Sequence, residues 1–186
     1  MSSVMSVSRA DISDLNDIVA MEREPYEKAV PFRSTAALLD YAAAAYGSLT
    51  AVHFQEDADP DGTYLTWSFE AFQQQCIRAA HLFRSLGVQR EAPVALLVPH
   101  IPSSLFALWG AQMAGCAFPI NYLLGAEHIA QLLRKTGTRV LVTLAPCASL
   151  PINAEAHRAA ELAGCVEHVL EIDPNERNPR TGSFQA

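Results

Sequence analysis

Two glycines have the spacing found in loops that bind nucleotide phosphates. Gly110 and Gly115 match the pattern G-x-x-x-x-G, in which backbone amides surround the phosphates. Such a loop continues with Lys and then Ser or Thr, whereas Cys116 and Ala117 occupy these positions. Both glycines also fall inside or at the end of a predicted helix. We therefore attribute them to close helix packing and to a helix terminus.

The lysines, histidines and serines form no recognised catalytic arrangement. Lys28 lies in a polar segment, and Lys135 falls in the last turn of a predicted helix, where a cation complements the helix dipole. The pair Glu127 and His128 would need a second histidine four residues on for zinc, and Leu132 stands there. No serine lies in a G-x-S-x-G elbow.

His100 is the histidine best placed to meet a ligand. It follows the predicted strand 94–98 and lies between Pro99 and Pro102. In open parallel sheets, ligands bind beyond the carboxyl ends of the strands. The alternative is a loop histidine that only binds neighbouring backbone, and position alone does not decide between the two.

The four cysteines predict neither a redox centre nor a metal site. Cys76, Cys116, Cys147 and Cys165 are far apart and include no C-x-x-C pair. We expect free thiols that are buried or half-buried, since free cysteine is usually buried.

Composition indicates a soluble globular chain of one domain, or of one domain with tails. Of 186 residues, 50% are hydrophobic and 18% charged, and 13 basic against 20 acidic residues give a net charge of -7. This balance argues against nucleic acid and anionic membrane surfaces as partners. The start MSSVMSVSRADISD lacks an export signal, so we expect a cytoplasmic protein. Residues 92–126 lack charge, but prolines divide them into pieces too short to span a bilayer.

Hydrophobic periodicity predicts helices alternating with strands. Helices are expected after Ser34 and Ser68, over 103–115 and 126–136, and from an Asn153 cap to Gly164. Strands are expected over 50–55, 63–67, 94–98, 117–120, 139–144 and 166–172, with the turn-rich loop EDADPDG between the first two.

This order predicts an α/β fold with three layers: a mostly parallel, doubly wound sheet with helices on both faces. We divide the chain into a polar arm over 1–33, an α/β domain over 34–172, and a disordered tail or linker over 173–186. The uncharged strand 117–120 fits this fold because parallel strands are buried on both faces.

Three segments in order resemble the amino-terminal part of the adenylate-forming, AMP-binding acyl-CoA synthetases. They are TWSFEAFQQQCIRAAHLFRSLGV, PVALLVPHIPSSLFALWGAQMAGCAFPIN and AEHIAQLLRKTGTRVLVTLAP. The match runs from about Thr63 to Pro146 and more weakly to Asp173. It is most similar to the subgroup that acts on fatty or related carboxylic acids, and it implies a partial amino-terminal subdomain of the synthetase fold.

The resemblance implies a ligase that uses ATP and magnesium to form an acyl-adenylate and then transfers the acyl group to CoA. In that family, the phosphate loop, the adenine-contacting segments and the catalytic lysine come later in the chain. We therefore assign no catalytic, cofactor-binding or metal residue here and expect no cofactor to be bound. We expect a truncated fragment that is inactive alone and that pairs with the remainder of the synthetase or self-associates.

One departure and two alternatives accompany this resemblance. Some acetyl-CoA synthetases place CoA-binding arginines after the strand that matches 139–144, whereas here the loop APCASLPIN has no basic residue. Any contact of this segment with CoA is therefore open. The first alternative is a stand-alone nucleotide- or CoA-binding module that uses the loops near His100 and Asn121. The second is a scaffold that docks on a separately encoded partner.

Overall fold

Seven helices and seven strands make up the described part of the chain. The computed structural model describes residues 12–23, 25–55, 62, 64–147, 149–173 and 184–185. The elements are, in order, α1 (Leu15–Glu22), α2 (Tyr26–Ala29), α3 (Thr35–Tyr46), β1 (Thr50–Gln55), β2 (Tyr64–Ser68), α4 (Phe69–Ser85), β3 (Pro93–Leu97), α5 (Pro102–Ala114), β4 (Cys116–Pro119), α6 (Ala126–Thr136), β5 (Val140–Leu144), α7 (Ile152–Ala163), β6 (His168–Ile172) and β7 (Phe184–Gln185).

The main sheet has the strand order β4-β3-β5-β6-β7. Its first four strands are parallel: Val94 of β3 lies opposite Ala117 on one side and Val140 on the other. Only β7 runs antiparallel, beside β6. All five residues of β5 are buried, as expected for a central parallel strand covered on both faces. The predicted α/β fold with a mostly parallel sheet is confirmed.

Helices cover both faces of this sheet. The chain moves from β3 to β4 in one direction and from β4 through β5 to β6 in the other. Because such crossovers are right-handed, α5 lies on the face opposite α6 and α7. The helix α4 packs on α5, and α6 packs on α7. Because β3 to β6 run parallel, their carboxyl ends lie at the same edge of the sheet.

Gly110 allows α4 and α5 to approach closely. A Cβ at this position would lie 2.5 Å from the Cβ of Ala79 and 2.9 Å from the backbone nitrogen of Ala80. Gly115 is the C-cap of α5. The packing explanation for these glycines is confirmed.

A second, smaller layer is formed by α3 and the antiparallel hairpin of β1 and β2. It attaches to α4 and α5 through an aromatic cluster, in which the Trp67 and Phe106 ring centroids are 5.5 Å apart and the rings meet edge to face. Phe72 also contacts Phe106. The arm before this layer contains α1, which buries no residue.

Most predicted element bounds agree with the structure within one or two residues. The Ser34 and Ser68 hydroxyls cap α3 and α4 as predicted, and α6 ends at a left-handed Gly137. The predicted Asn153 cap is wrong, because α7 already begins at Ile152, after Pro151. The loop residues 56–61 lie outside the described residues, as do 1–11 and 174–183. The three-part division of the chain stays a prediction.

Candidate functional site

The candidate site lies at the carboxyl edge of the parallel strands. The loops 98–101, 120–125 and 145–151 follow β3, β4 and β5 at this edge. After β3 the chain leaves toward β4, and after β5 it leaves toward β6, so neighbouring connections diverge between β3 and β5. Such a point is where open α/β sheets most often bind ligands.

A cavity of about 340 Å³ lies between the loops after β3 and β4. Its walls are mainly apolar, and its polar side chains come from His100, Ser104, Asn121 and Tyr122. The two loop positions that sequence analysis proposed for a binding module, His100 and Asn121, therefore border one cavity. Sequence analysis missed Tyr122 because nothing in its local sequence predicts that it lines this cavity.

Two of these polar side chains already have structural partners. The Ser104 hydroxyl donates to the Ile101 carbonyl at 2.7 Å and accepts from the Ile101 backbone N–H at 3.1 Å. The Asn121 side-chain oxygen accepts from the Leu123 backbone N–H at 3.0 Å, which fixes the turn after β4. The imidazole of His100 and the phenol of Tyr122 are thus the groups best placed to orient a ligand in this cavity.

A second cavity of about 330 Å³ lies on the other side of Tyr122. It is bordered by the loop after β4 and by the start of α7, including Glu155. The Glu155 carboxylate accepts from the Ala126 backbone N–H at 2.8 Å and so caps α6 from a neighbouring helix. Tyr122 therefore separates two adjacent cavities at the same sheet edge.

The amide of Asn153 ties together the strand ends beside these cavities. Its nitrogen donates to the Leu144 carbonyl at 2.7 Å and to the Glu171 carboxylate at 2.6 Å. His157, one turn further along α7, contacts the same carboxylate at 2.9 Å. The bonds from His157 and Asn153 lower the pKa of Glu171 below its ordinary value. Sequence analysis missed this contact with Glu171. The spacing of Asn153 and His157, which places both on one face of α7, was the sequence signal that could have indicated it.

The other residues considered as catalytic candidates lie away from this edge or have partners. Lys28 and Lys135 are exposed on α2 and α6. Glu127 forms an exposed salt bridge with Arg158, which links α6 to α7, and His128 is exposed beside it. None of these side chains borders either cavity.

The cysteines are free thiols in different environments. Burial raises the pKa of Cys76 to about 12, so this thiol stays protonated and serves as core. Cys147 and Cys165 are half-buried, as predicted. The expectation is wrong for Cys116, which is exposed because it opens β4, a strand at the edge of the sheet.

The described residues do not fit a magnesium ion or a CoA phosphate at this edge. Among them, no group of three or more His, Cys, Asp and Glu side chains is arranged to hold a metal ion. The carboxylates of Glu155 and Glu171 are already hydrogen-bonded. The loops 120–125 and 145–151 contain no lysine or arginine that could pair with a phosphate.

Comparison with known proteins gives one family for this chain. The family model described as "AMP-binding enzyme" matches residues 39–184. A marinolic acid–CoA ligase from Pseudoalteromonas sp. (strain SANK 73390) is 36% identical over 135 residues, which cover 73% of this chain and 21% of that relative. A crotonobetaine/carnitine–CoA ligase from Salmonella arizonae is 33% identical over 108 residues, covering 58% of this chain and 20% of that enzyme. The chain thus spans about a fifth of the length of these relatives.

Solved structures support the same fold. The amino-terminal domain of FACL13 from Mycobacterium tuberculosis aligns with a TM-score of 0.63 at 23% identity, covering 83% of this chain and 38% of that one. A long-chain-fatty-acid–CoA ligase (FadD1) from Archaeoglobus fulgidus aligns with a TM-score of 0.64 at 19% identity, covering 82% and 31%. None of the described helices has both the length and the apolar character needed to cross a bilayer.

Proposed function

The chain belongs to the AMP-binding enzyme family, and we propose that it is part of the amino-terminal domain of an ATP-dependent acyl-CoA ligase. The family match over residues 39–184 carries this proposal. The relatives named as CoA ligases at 36% and 33% identity support the reaction class. The activated acid belongs to the fatty or related carboxylic acids. The cytoplasmic location of this protein stays a prediction.

In this proposal the 186 residues contribute framework rather than reacting groups. The parallel sheet fixes the loops after β3, β4 and β5, and Asn153 holds the carboxyl end of β5 through the Leu144 carbonyl. The apolar residues that line the cavity beside His100 form a surface against which the rest of the ligase packs. ATP, magnesium and CoA would be held by parts of the enzyme that carry the phosphate loop and the catalytic lysine, which this sequence does not contain.

The direct test is a chimera with the marinolic acid–CoA ligase. Residues 39–172 of this chain would replace the matching segment of that enzyme, and ATP–pyrophosphate exchange would be measured with its acid. We expect exchange in the chimera and none in the 186-residue chain alone. A chimera that folds, as judged by circular dichroism, but catalyses no exchange would overturn the proposal. Turnover by the chain alone would contradict its role as framework.

The reading frame beyond codon 186 gives a second, independent test. We expect it to continue into a Ser/Thr/Gly-rich loop followed by a lysine. A native stop codon directly after codon 186 would favour the binding-module or scaffold alternatives instead.

Exposed apolar surface at the sheet edge gives a further expected property. Leu123, in the loop after β4, is 80% exposed, and β4 pairs with a single strand among the described residues. We expect the 186-residue chain to self-associate or to bind a hydrophobic dye. Clean monomer behaviour in analytical ultracentrifugation without dye binding would contradict this.

The loops near His100 and Asn121 border one cavity, and this is the observation behind a second candidate, a stand-alone module that binds a nucleotide or CoA. The lack of lysine and arginine in the loops 120–125 and 145–151 counts against this candidate. Isothermal titration of the chain with ATP, AMP and CoA distinguishes the two functions. Saturable binding that is lost in His100→Ala would favour the module. The framework role predicts no saturable binding.

A further inference from the structure

The helix α1 carries an apolar face that the described part of the chain leaves exposed. It buries no residue. Leu15, Ile18 and Val19 are spaced by three and four positions, which places them on one face of the helix, and they are 73%, 40% and 45% exposed. Isolated helices of fewer than about 12–15 residues are marginal in water, and α1 has 8 residues. The apolar face therefore indicates a docking contact beyond those that the described residues make within one chain.

The charge of α1 states which kind of surface it fits. Glu22 lies four positions after Ile18 and so continues the apolar face. It is exposed and has no hydrogen-bond or ion-pair partner among the described residues. Asp14 and Asp17 add two carboxylates at the start of the helix, against Arg23 alone at its end. A complementary surface is apolar and carries cations at its rim.

The carboxyl edge of the main sheet is unsuited to this acidic helix. Its loops 98–101, 120–125 and 145–151 contain no lysine or arginine, and the carboxylates of Glu155 and Glu171 lie beside them. Like charges that face each other across an interface cost free energy. Docking of α1 at this edge is therefore disfavoured.

The amino edge, where β3 to β6 begin, has the opposite charge balance. The helix before each of these strands ends there, and cations complement the dipole of a helix carboxyl end. The charged residues of this edge are five cations and three carboxylates: Arg84, Arg90, Arg134, Lys135 and Arg139, and Glu91, Glu161 and Glu167. Arg139 and Glu167 pair with each other. Arg90 and Lys135 are exposed and have no partner among the described residues, so they are available to a carboxylate.

A cavity of about 90 Å³ opens at the amino edge, between the loop after α4 and the loop after α6. Leu86, Val88 and Val140 contribute apolar side chains to its walls. Arg90 belongs to the loop that forms one wall, and Lys135 precedes the loop that forms the other. The amino edge thus combines an apolar cavity with unpaired cations on both sides of it.

We propose that α1 of one chain docks on the amino edge of a second copy, with Leu15 at the cavity and Glu22 beside Arg90 and Lys135. Leu15 and Glu22 are two helical turns apart, about 10 Å along the axis, so one end of α1 meets the cavity and the other meets its rim. Each copy has one α1 and one amino edge, so reciprocal docking closes a two-fold dimer. An interface of two short helices buries about 1,200 Å² or less, which makes the dimer weak. This dimer does not depend on the proposed ligase function.

Sedimentation equilibrium of the 186-residue chain, combined with amide hydrogen exchange, tests the dimer. We expect a monomer–dimer equilibrium that is about threefold or more weaker at about 0.5 M salt than at about 0.05 M salt, because salt screens the charge pairs. Amide exchange in α1 and in the loop 86–92 should slow as the dimer forms. A chain that stays monomeric, a dimer that protects the loop 120–125 instead, or slow exchange in α1 of the monomer would overturn the proposal.

Two exposed side chains of α1 separate the docking face from the rest of the helix. Leu15→Ala should weaken the dimer about tenfold or more, because both copies of the contact lose the side chain. Met21→Ala is the matched control: Met21 is 53% exposed, lies about 120° around the helix from Leu15, and should change the dimer constant less than about twofold. Equal effects of both variants would refute the docking face. Self-association that Leu15→Ala leaves unchanged would assign it to the surface around Leu123 and overturn the proposal.

Charge variants locate the second copy's contact. Glu22→Gln should weaken the dimer about threefold or more and reduce its salt dependence. Glu70→Gln, which removes an exposed carboxylate at the start of α4, is the control and should have no effect on the dimer. The double variant Arg90→Gln/Lys135→Gln should weaken the dimer as much as Glu22→Gln, and combining all three changes should add little, because both sets remove the same contact. Fully additive losses would refute the pairing.

Discussion

The main sheet and the hairpin layer use the same local signals but bury very different amounts of side chain. Every residue of β5 is buried, whereas no residue of β1 is. The helices α3 and α4 both begin with a serine whose hydroxyl accepts a backbone N–H at 3.1 Å, yet α3 buries only Leu39 while α4 buries six side chains. Local capping therefore starts a helix in both regions, and packing into the main core, which includes Ala79, Ala80 and Phe83 of α4, decides how strongly it is held.

The largest expected difference concerns apolar side chains in the two regions. Leu141→Ala removes a fully buried side chain from β5 and should lower the free energy of unfolding by about 3 kcal/mol. Leu49→Ala, next to β1, removes a side chain that is 61% exposed and should cost less than about 0.5 kcal/mol. Urea denaturation of both variants measures the contrast. Similar costs would show that the hairpin layer buries as much as the sheet.

Gly110 tests whether the two regions are coupled. It lies against Ala79 and Ala80 of the main core and against the carbonyl of Cys76, which belongs to the aromatic cluster of the hairpin layer. Gly110→Ala should destabilise by about 2 kcal/mol, because crowding outweighs the roughly 1 kcal/mol gained from helix propensity.

The control for Gly110 is Gln112→Ala, an exposed change on the same helix that should alter stability by less than about 0.5 kcal/mol. Native-state amide exchange should show Gly110→Ala loosening both regions. Faster exchange in the hairpin alone would mean that the two layers unfold independently.

The two serine caps sharpen the comparison. Ser68→Ala should lower global stability by about 1 kcal/mol, because α4 packs on both the hairpin and α5. Ser34→Ala removes a bond of the same 3.1 Å length, but its effect should be confined to faster amide exchange within α3. A matching fall in the melting temperature of both variants would show that α3 unfolds together with the core.

The smallest expected effect is a pH dependence from Glu171 in β6 of the main sheet. His157 and Asn153 lower the pKa of Glu171 below its ordinary value of 4.5. A lowered folded-state pKa contributes stability above the unfolded pKa, and this stability is lost as the pH falls through the folded value. Glu171→Gln should therefore flatten the fall in stability below about pH 4.5, by less than about 1 kcal/mol because the side chain is 31% exposed. Unchanged slopes in wild type and variant would refute this contribution.

Sequence alone predicted those features that depend on local patterns. The apolar spacing and Gly137 defined α6, and the serine caps marked the starts of α3 and α4. The role of Asn153 could not be read in this way, because its amide bonds to the Leu144 carbonyl and to Glu171, 18 positions away in the chain. A helix cap was the expected local use of that amide, and a tertiary contact replaced it.

The candidate site was predictable in place but not in detail. The position of His100 after a parallel strand predicted that it lies at the carboxyl edge of the sheet, and in the structure it borders a cavity there. That Tyr122 borders two cavities depends on how three loops meet, which no local pattern encodes.

The position of β3 between β4 and β5 has a consequence for synthesis on the ribosome. Val94 pairs with Val140, and 140 − 94 = 46 residues must be added before this partner exists. At about 5–20 residues per second, β3 waits on the order of 2–9 seconds with the backbone N–H and C=O groups of one edge unpaired. Nascent chains stalled within that interval should be the ones that recruit chaperones, and chains stalled after β5 has left the exit tunnel should not.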